Sequence, residues 1–552
     1  MKKDLTASIV HALTTLAEKG IVPSTVSFPS IYYETPKDPK FGDLSTNIAF
    51  LLATSLKISP KKLAKHIVQS VTAWPQDIEK VEIAGNGFIN FFIKPQFWHA
   101  TLKQIQENPA EFCSPSLGHG ERVNIEFVSA NPTGPLHVGH GRCAVVGDAL
   151  ARLLEKVGYH VTREYYINDA GRQMDILGKS VLLRYYQELG KDIPFLEEGY
   201  QGEYIRDIAI SLIKGKGDFY LTLPEEEVIP MFTNLAADTI LEQIKEDLKL
   251  SRVHFDLWFS EKTLHETKIL ERAIRSLRES GWIYEKDGAL WMKTTAVGDE
   301  KDRVVIRSSG EPTYYASDIA YHLNKFERGY SRIIDIWGAD HHGYVDRIRS
   351  VARALSFPEG DLSILLVQLV RLLHGKVVVQ MSTRKATFTT LSEVLEEVGV
   401  DAARFFFLLR RYDTHLDFDL DLAKKQSSEN PVYYTQYAHA RICSIFRELE
   451  KRDISLPPPD LSRLNTAEEI QLIQKLSLYP QVISEAAQTL EPHRLTFYLI
   501  ELATLFHKYY NLHKVISEDV ELASSRLYLV SAIRIIIADG LQLLGVSTPE
   551  TM

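Results

Sequence analysis

The centre of this chain is predicted to be α/β, a Rossmann-like doubly wound parallel sheet, with an N-terminal α+β module before it and a C-terminal all-α helix bundle after it. Three observations predict this. The run from Arg122 to Ser129 is rich in β-formers (Val123, Ile125, Phe127) and ends at Asn131-Pro132-Thr133-Gly134-Pro135, which cannot continue a strand. Val138, Ala144, Val145, Ala149, Leu150, Leu153 and Leu154 then cover one face of a helix that Gly158 stops, and Tyr159 to Tyr166 offers a second strand. Finally, the chain from Leu391 onward is almost wholly helical in pattern, broken by a loop at Ser455 to Leu461 with three consecutive prolines.

A length of 552 residues suggests roughly three to four domains. Ile9, Val10, Leu13 and Leu16 recur at helical spacing before Gly20 and Pro23, so the chain opens on a helix. Phe41 to Asn47 reads as a turn entering a second helix and Phe88 to Ile93 as a strand, which together make a first module of residues 1–115. The nucleotide-binding type of fold occupies 116–390, with short strands returning at Val304–Ile306 and Ile333–Trp337 and a mostly helical insertion over about 181–295. Residues 391–430 form a connecting helical segment and 431–552 the helix bundle. No internal repeat is present.

Hydrophobic residues make up 45% and charged residues 24%, the balance of folded globular domains, which excludes long disordered tracts. Cys113, Cys143 and Cys443 are far apart and lack the paired spacing of a zinc site or a disulfide framework, so a reducing cytoplasm is expected. The N-terminus has no apolar core of a secretion signal, and no run reaches the length of a membrane span, so no membrane association is expected. With 63 Lys+Arg against 72 Asp+Glu the net charge is -9, so any contact with nucleic acid has to use local basic patches.

His137-Val138-Gly139-His140 stands where the first strand of the βαβ unit hands over to its helix. Histidines three apart share a helix face, and a helix N-terminus presents free N–H groups and partial positive charge to a phosphate. Gly139 leaves room for an adenine ring to approach the backbone. The bland reading is two half-exposed histidines on an ordinary helix. Val377 to Lys385 places a cationic loop, Gln380-Met381-Ser382-Thr383-Arg384-Lys385, after a short β run, where it could close over triphosphate; alone it equally suits a solvated basic loop. In Tyr314-Tyr315-Ala316-Ser317-Asp318, Tyr314 and Asp318 share a helical face, and a carboxylate with an aromatic ring suits a guanidinium, though a helix start with a surface aspartate fits too. Gly338, Asp340, His341 and His342 follow a buried strand at a sheet edge; adjacent histidines diverge, so contacts to a nucleoside are favoured over a metal site, and no metal is assigned.

Asn131 to His140 resembles the ATP-binding signature of class I aminoacyl-tRNA synthetases, and its Ser-Ala-Asn-Pro-Thr-Gly-Pro lead-in is similar to the arginyl-tRNA synthetase version. The loop at 380–385 resembles a degraded Lys-Met-Ser-Lys-Ser element, with Gln380 and Thr383 in place of its lysines and Arg384 the candidate for the missing charge, Lys385 or Lys376 in reserve. Asp401-Ala402-Ala403-Arg404-Phe405-Phe406-Phe407 and Pro431 to Arg441 resemble the family's connecting segment and the opening helix of its anticodon-binding domain.

The resemblance implies ATP-dependent ligation of L-arginine to the 3′ end of tRNA(Arg) through an arginyl-adenylate, with Mg2+, by a cytoplasmic monomer whose N-terminal module also binds tRNA. It implies that His137, His140 and Arg384 act in catalysis; that Pro132, Thr133, Gly134, His137, Gly139, His140, Gly338, Asp340, His341, His342, Met381 and Ser382 hold ATP; that Glu126, Ser129, Asn131, His140, Tyr314 and Asp318 hold arginine; and that Tyr433, Tyr437 and Arg441 meet the RNA. It further implies that tRNA is bound before arginine is activated. A small-molecule nucleotidyltransferase, a silent RNA-binding relative and another class I specificity are the competing readings.

Overall fold

The computed structural model describes residues 1–23, 28–34, 36, 38–358, 360–379 and 389–552. At its centre five strands, β1 (Arg122–Phe127), β2 (His160–Ile167), β3 (Leu257–Ser260), β4 (Arg332–Gly338) and β5 (Leu362–Val367), form one sheet in the order β3-β2-β1-β4-β5. Every neighbouring pair is parallel. The strand order reverses between β1 and β4, so their carboxyl ends open the crevice in which doubly wound sheets bind ligands. The two polar segments singled out above, 131–140 and 338–344, leave from those two ends.

Helix α1 (Val138–Lys156) makes the first crossover. Its packing against the sheet is close because Gly147 has no side chain: a Cβ there would meet Cγ of Phe127 at 2.3 Å. Val145, Val146, Leu150, Leu153 and Leu154 are buried, each contributing about 1.5–3 kcal/mol by leaving water.

The stretch expected as a helical insertion contains α2 (Arg172–Glu188), α3 (Glu203–Lys216) and α4 (Glu225–Leu250). It is not helical throughout. Leu257–Ser260 is the outer strand β3 of the main sheet, and Ile283–Lys286 and Ala289–Met292 pair antiparallel, with Arg303–Ile306 added beside the latter. Helix α5 (Tyr314–Glu327) packs Ala316, Ile319 and Ala320 into a core with Leu277, Met292 and Val305.

Two further expectations need correction. Phe41 to Asn47 is not only a turn, because Leu44–Thr46 pairs antiparallel with Phe88–Ile93 before the helix Ile48–Leu56 starts. The chain beyond Leu391 is not all helix, because Leu416–Asp419 lies parallel to Val370–His374. Helix α6 (Pro431–Lys451) follows, with Pro431 at its first turn and the Asn430 side chain accepting from Val432 N–H.

By packing the chain divides into two units, residues 1–108, 453–477 and 509–532 in one, and 109–452, 478–508 and 533–552 in the other. This grouping departs from the boundaries read off the sequence. In the first unit the N-terminal segment holds later chain through side chains: Gln474 donates to Asp43, Gln106 donates to the Tyr528 carbonyl at 3.0 Å, and His99 lies 3.4 Å from the Leu464 carbonyl.

Candidate active site

At the end of β1 the backbone turns sharply. Ser129 N–H donates to the Phe127 carbonyl at 3.0 Å, and both Val128 and Ser129 have left-handed backbone, φ 70° and 41°. For a β-branched residue this costs about 1–3 kcal/mol, the kind of strain that marks a functional turn. Beyond it, Tyr165 OH on β2 donates to the Ala130 carbonyl at 2.8 Å.

His137 is the N-cap of α1 and His140 its third residue. Their rings stack with centroids 3.7 Å apart and planes 15° from parallel. The N–H groups expected to await phosphate are in fact engaged: Gly139 N–H and His140 N–H donate to His137 Nδ1 at 3.1 and 3.3 Å, and His137 N–H donates to His140 Nδ1 at 3.3 Å. An unfilled helix start has orphan donors, and the imidazoles satisfy them. Gly139 also has a reason within the protein itself, since a Cβ there would meet Cε1 of the His137 ring at 2.9 Å. Burial pushes His140 down to about 3, with the neighbouring His137 adding to the effect, and burial lowers His137 as well. Both rings are therefore neutral. Because each Nδ1 accepts, the proton sits on Nε2, and the pair acts through hydrogen bonds rather than through positive charge.

Asp340, His341 and His342 fall on a short 3-10 helix, Ala339–Tyr344, at the end of β4 and are exposed. Asp340 is close enough to act on the His137 ring, so the crevice brings the two segments together. Asp340 folds back over Gly338, where a Cβ would lie 2.5 Å from Asp340 Oδ1 and would make that exposed carboxylate turn away.

The second cluster is acidic. Asp318, one turn into α5, is pushed up to about 7, first by burial and then by Glu261 and Glu126, while His322 and Arg347 act the other way. Glu261 directly follows β3, is 5% exposed, and its pKa is raised by burial despite hydrogen bonds with Ser317 and Tyr166. Glu126 is ion-paired with the fully buried Lys325, and its other oxygen accepts from Ser129 Oγ at 2.9 Å. Lys325 also reaches Asp335 at 2.6 Å. Of the residues expected around arginine, Glu126 thus already holds a cation, whereas Asp318, half-buried, and Glu261, buried, are carboxyls whose surroundings hold them above their ordinary range. Tyr314 begins α5 at 53% exposure, free of packing that would stop its ring lying on a planar ligand. Asn131 donates to Gln173 at 2.6 Å.

Glu261 was not found in the sequence. Its only signal was Leu257-Trp258-Phe259-Ser260, a short apolar run ending in a carboxylate, hidden inside a segment read as helical. Arg384, Met381 and Ser382, with Gln380, Thr383 and Lys385, lie outside the described residues; Lys376 is exposed on the hairpin before them.

On α6, Tyr433 and Tyr437 stack at 5.9 Å and 17°, and the Arg441 guanidinium lies 4.4 Å from the Tyr437 ring centre while donating to its hydroxyl at 3.0 Å. His507 stacks on Tyr437 at 5.8 Å and lies 3.1 Å from Arg441 Nη1. The three expected residues form one aromatic and cationic ladder.

A β3-β2-β1-β4-β5 parallel sheet with a stacked His-x-Gly-His pair at its reversal point fits the catalytic domain of a class I aminoacyl-tRNA synthetase. The comparisons with known proteins agree. Residues 101–409 match the family described as "tRNA synthetases class I (R), catalytic domain", 3–93 the "Arginyl tRNA synthetase N terminal domain" and 435–552 the "DALR anticodon binding domain". An arginine–tRNA ligase of Desulfosudis oleivorans is 50% identical over 557 residues, covering 100% of each chain. One from Syntrophotalea carbinolica is 50% identical over 529 residues, 95% of this chain and 96% of that one. The Thermus thermophilus arginyl-tRNA synthetase shares the fold, with a TM-score of 0.77, 24% identity, and coverage of 99% of this chain and 100% of its own. The chain belongs to the arginyl-tRNA synthetase family.

Proposed function

We propose that this protein joins L-arginine to the 3′ end of tRNA(Arg) in protein synthesis, at the expense of ATP. An arginine carboxylate oxygen attacks the α-phosphorus, the bond to the β-phosphate oxygen breaks, and pyrophosphate leaves with arginyl-adenylate formed. A terminal ribose hydroxyl of the tRNA then attacks the arginyl carbonyl, its proton is lost, and AMP departs. No protein nucleophile is needed, so rate comes from positioning and from stabilising developing charge.

The observation that carries the arginine assignment is the pair of carboxyls with raised pKa, the half-buried Asp318 and the buried Glu261, near the crevice that holds the stacked imidazoles. A guanidinium placed there offers planar, multiply donating charge to both, with Tyr314 against its face. Asn131 holds the α-amino end. Ser129, which donates to Glu126 and accepts from Tyr166 N–H at 3.1 Å, fixes the orientation of Glu126. Neutral His137 and His140 donate to the phosphates, Pro132, Thr133, Gly134 and Gly139 wall the nucleotide on one side, and Gly338, Asp340, His341 and His342 wall it on the other. Met381, Ser382 and Arg384 complete the phosphate contacts in this reading.

Magnesium enters on the phosphates as part of the ATP substrate; among the described residues no group of three or more His, Cys, Asp or Glu is placed to hold a metal. The ladder Tyr433, Tyr437 and Arg441 is the RNA-stacking surface, and the N-terminal module of residues 1–115 adds a second contact with tRNA. The protein works as a monomer in the cytoplasm. No helix among the described residues is long and apolar enough to cross a membrane. Incubation with a total tRNA pool, ATP and each standard amino acid in turn tests the reading: arginine alone is expected to be esterified, and charging by another amino acid, or none, overturns it.

A further inference from the structure

We propose that Tyr204 is a positioning residue for ATP, its hydroxyl holding the loop Asn131–Gly134 in the place from which that loop meets the nucleotide. The inference rests on the reading that this loop and the two histidines bind ATP. It goes beyond that reading because Tyr204 belongs to α3, in the helical stretch to which no part in the reaction has been given.

The loop has little structure of its own. Pro132 and Pro135 have no N–H, and Thr133 N–H is used within the loop, on the Asn131 carbonyl at 2.7 Å. What holds it comes from other elements. Tyr165 OH on β2 donates to Ala130 O at 2.8 Å, Gln173 on α2 accepts from Asn131 at 2.6 Å, and Tyr204 OH donates to the Thr133 carbonyl at 2.7 Å. Tyr204 is thus the anchor nearest Gly134. The approach is close on both sides of its ring: a Cβ on Gly134 would lie 3.1 Å from the Tyr204 hydroxyl, and one on Gly202 would meet Cε1 of the ring at 2.3 Å. A side chain on Gly202 would displace the ring, and one on Gly134 would crowd its hydroxyl by a few tenths of an ångström. The phenol's pKa is raised by burial and by Tyr200, so it remains a donor at every working pH. Tyr200, which hydrogen-bonds the Thr133 side chain, stands behind it.

A tyrosine that merely packs would change stability and leave kinetics alone. A tyrosine that holds the Thr133–Gly134 end of the loop acts on ATP, because Asn131, which meets arginine, has its own anchor in Gln173, and tRNA meets other residues. Tyr204→Phe keeps the ring and removes one hydrogen bond, so the expected effect is a rise of about 2–10-fold in KM for ATP. Values of kcat and KM for arginine and tRNA should stay within about two-fold, and the thermal midpoint should be unchanged within about 2 °C.

The experiment is steady-state arginylation by the full-length chain, with His140→Ala measured alongside. If His140→Ala loses activity and Tyr204→Phe leaves KM for ATP unchanged, the positioning role is wrong and the nucleotide site stands. If His140→Ala is harmless, the nucleotide site itself is wrong. A shift in KM for tRNA alone, or equal shifts for all three substrates with a lower thermal midpoint, would each overturn the proposal.

Discussion

Asp318 and His140 are both half-buried titratable groups, and desolvation moves them in opposite directions, each toward its neutral form. Asp318, pushed up to about 7, passes from mostly protonated to mostly ionised around that pH. Its folded pKa lies above the unfolded value of about 4, so its contribution to stability is complete below about pH 4 and is lost as the pH rises through about 7. Arginine supplies the missing cation. Its binding should therefore weaken as pH falls from about 8 to about 6, and the stabilisation by arginine in thermal melts should be larger at the higher pH. Asp318→Asn should abolish that pH dependence and weaken arginine by roughly 2–5 kcal/mol, with ATP affected far less; equal weakening of both ligands would contradict the assignment. His140, near 3, carries no charge at working pH, so no histidine ionisation of its own should appear in the kcat profile. At this scale His137, His140, Tyr314 and Asp318 were legible because each pair is close in sequence and its spacing sets a common face. Glu261 was not, because its partners Ser317 and Tyr166 are distant in sequence and only the closed sheet brings them near.

Among elements, the crevice depends on how β1, β4 and α5 are joined beneath it. Lys325 on α5 sits between Glu126 of β1 and Asp335 of β4, and His322 lies 3.1 Å from Asp335. Such a buried network contributes little net stability when complete, but removing one partner leaves charge without compensation. Lys325→Met should destabilise the protein by about 3–5 kcal/mol in denaturant titration, and a loss below about 1 kcal/mol would show that the carboxylates neutralise themselves by taking up protons. The βαβ unit was readable because strand β1, the Pro-Gly turn and the amphipathic α1 each carry a separate signal. Strand β3 was not, since four residues beyond a long helix carry no resolvable period, and its membership of the sheet is decided by pairing with β2. The same applies to Leu416–Asp419, whose partner Val370–His374 is remote in sequence.

For the molecule as a whole, a net charge of -9 has to coexist with binding of a polyanion. Local concentration of charge and aromatic surface resolves this, and the ladder of Tyr433, Tyr437 and Arg441 with His507 is one such place. Arg441→Ala should raise KM for tRNA with KM for ATP unchanged, and should reduce the slope of log affinity against log salt by up to about one. An unchanged tRNA KM would move the RNA surface elsewhere. The most direct measurement is a crystal structure with arginine and a non-hydrolysable ATP analogue. The triphosphate should lie over the start of α1, with His137 and His140 within hydrogen-bond reach and the guanidinium on Asp318 and Glu261. Nucleotide bound away from the β1–β4 crevice, or arginine bound without either carboxylate, would contradict the reading.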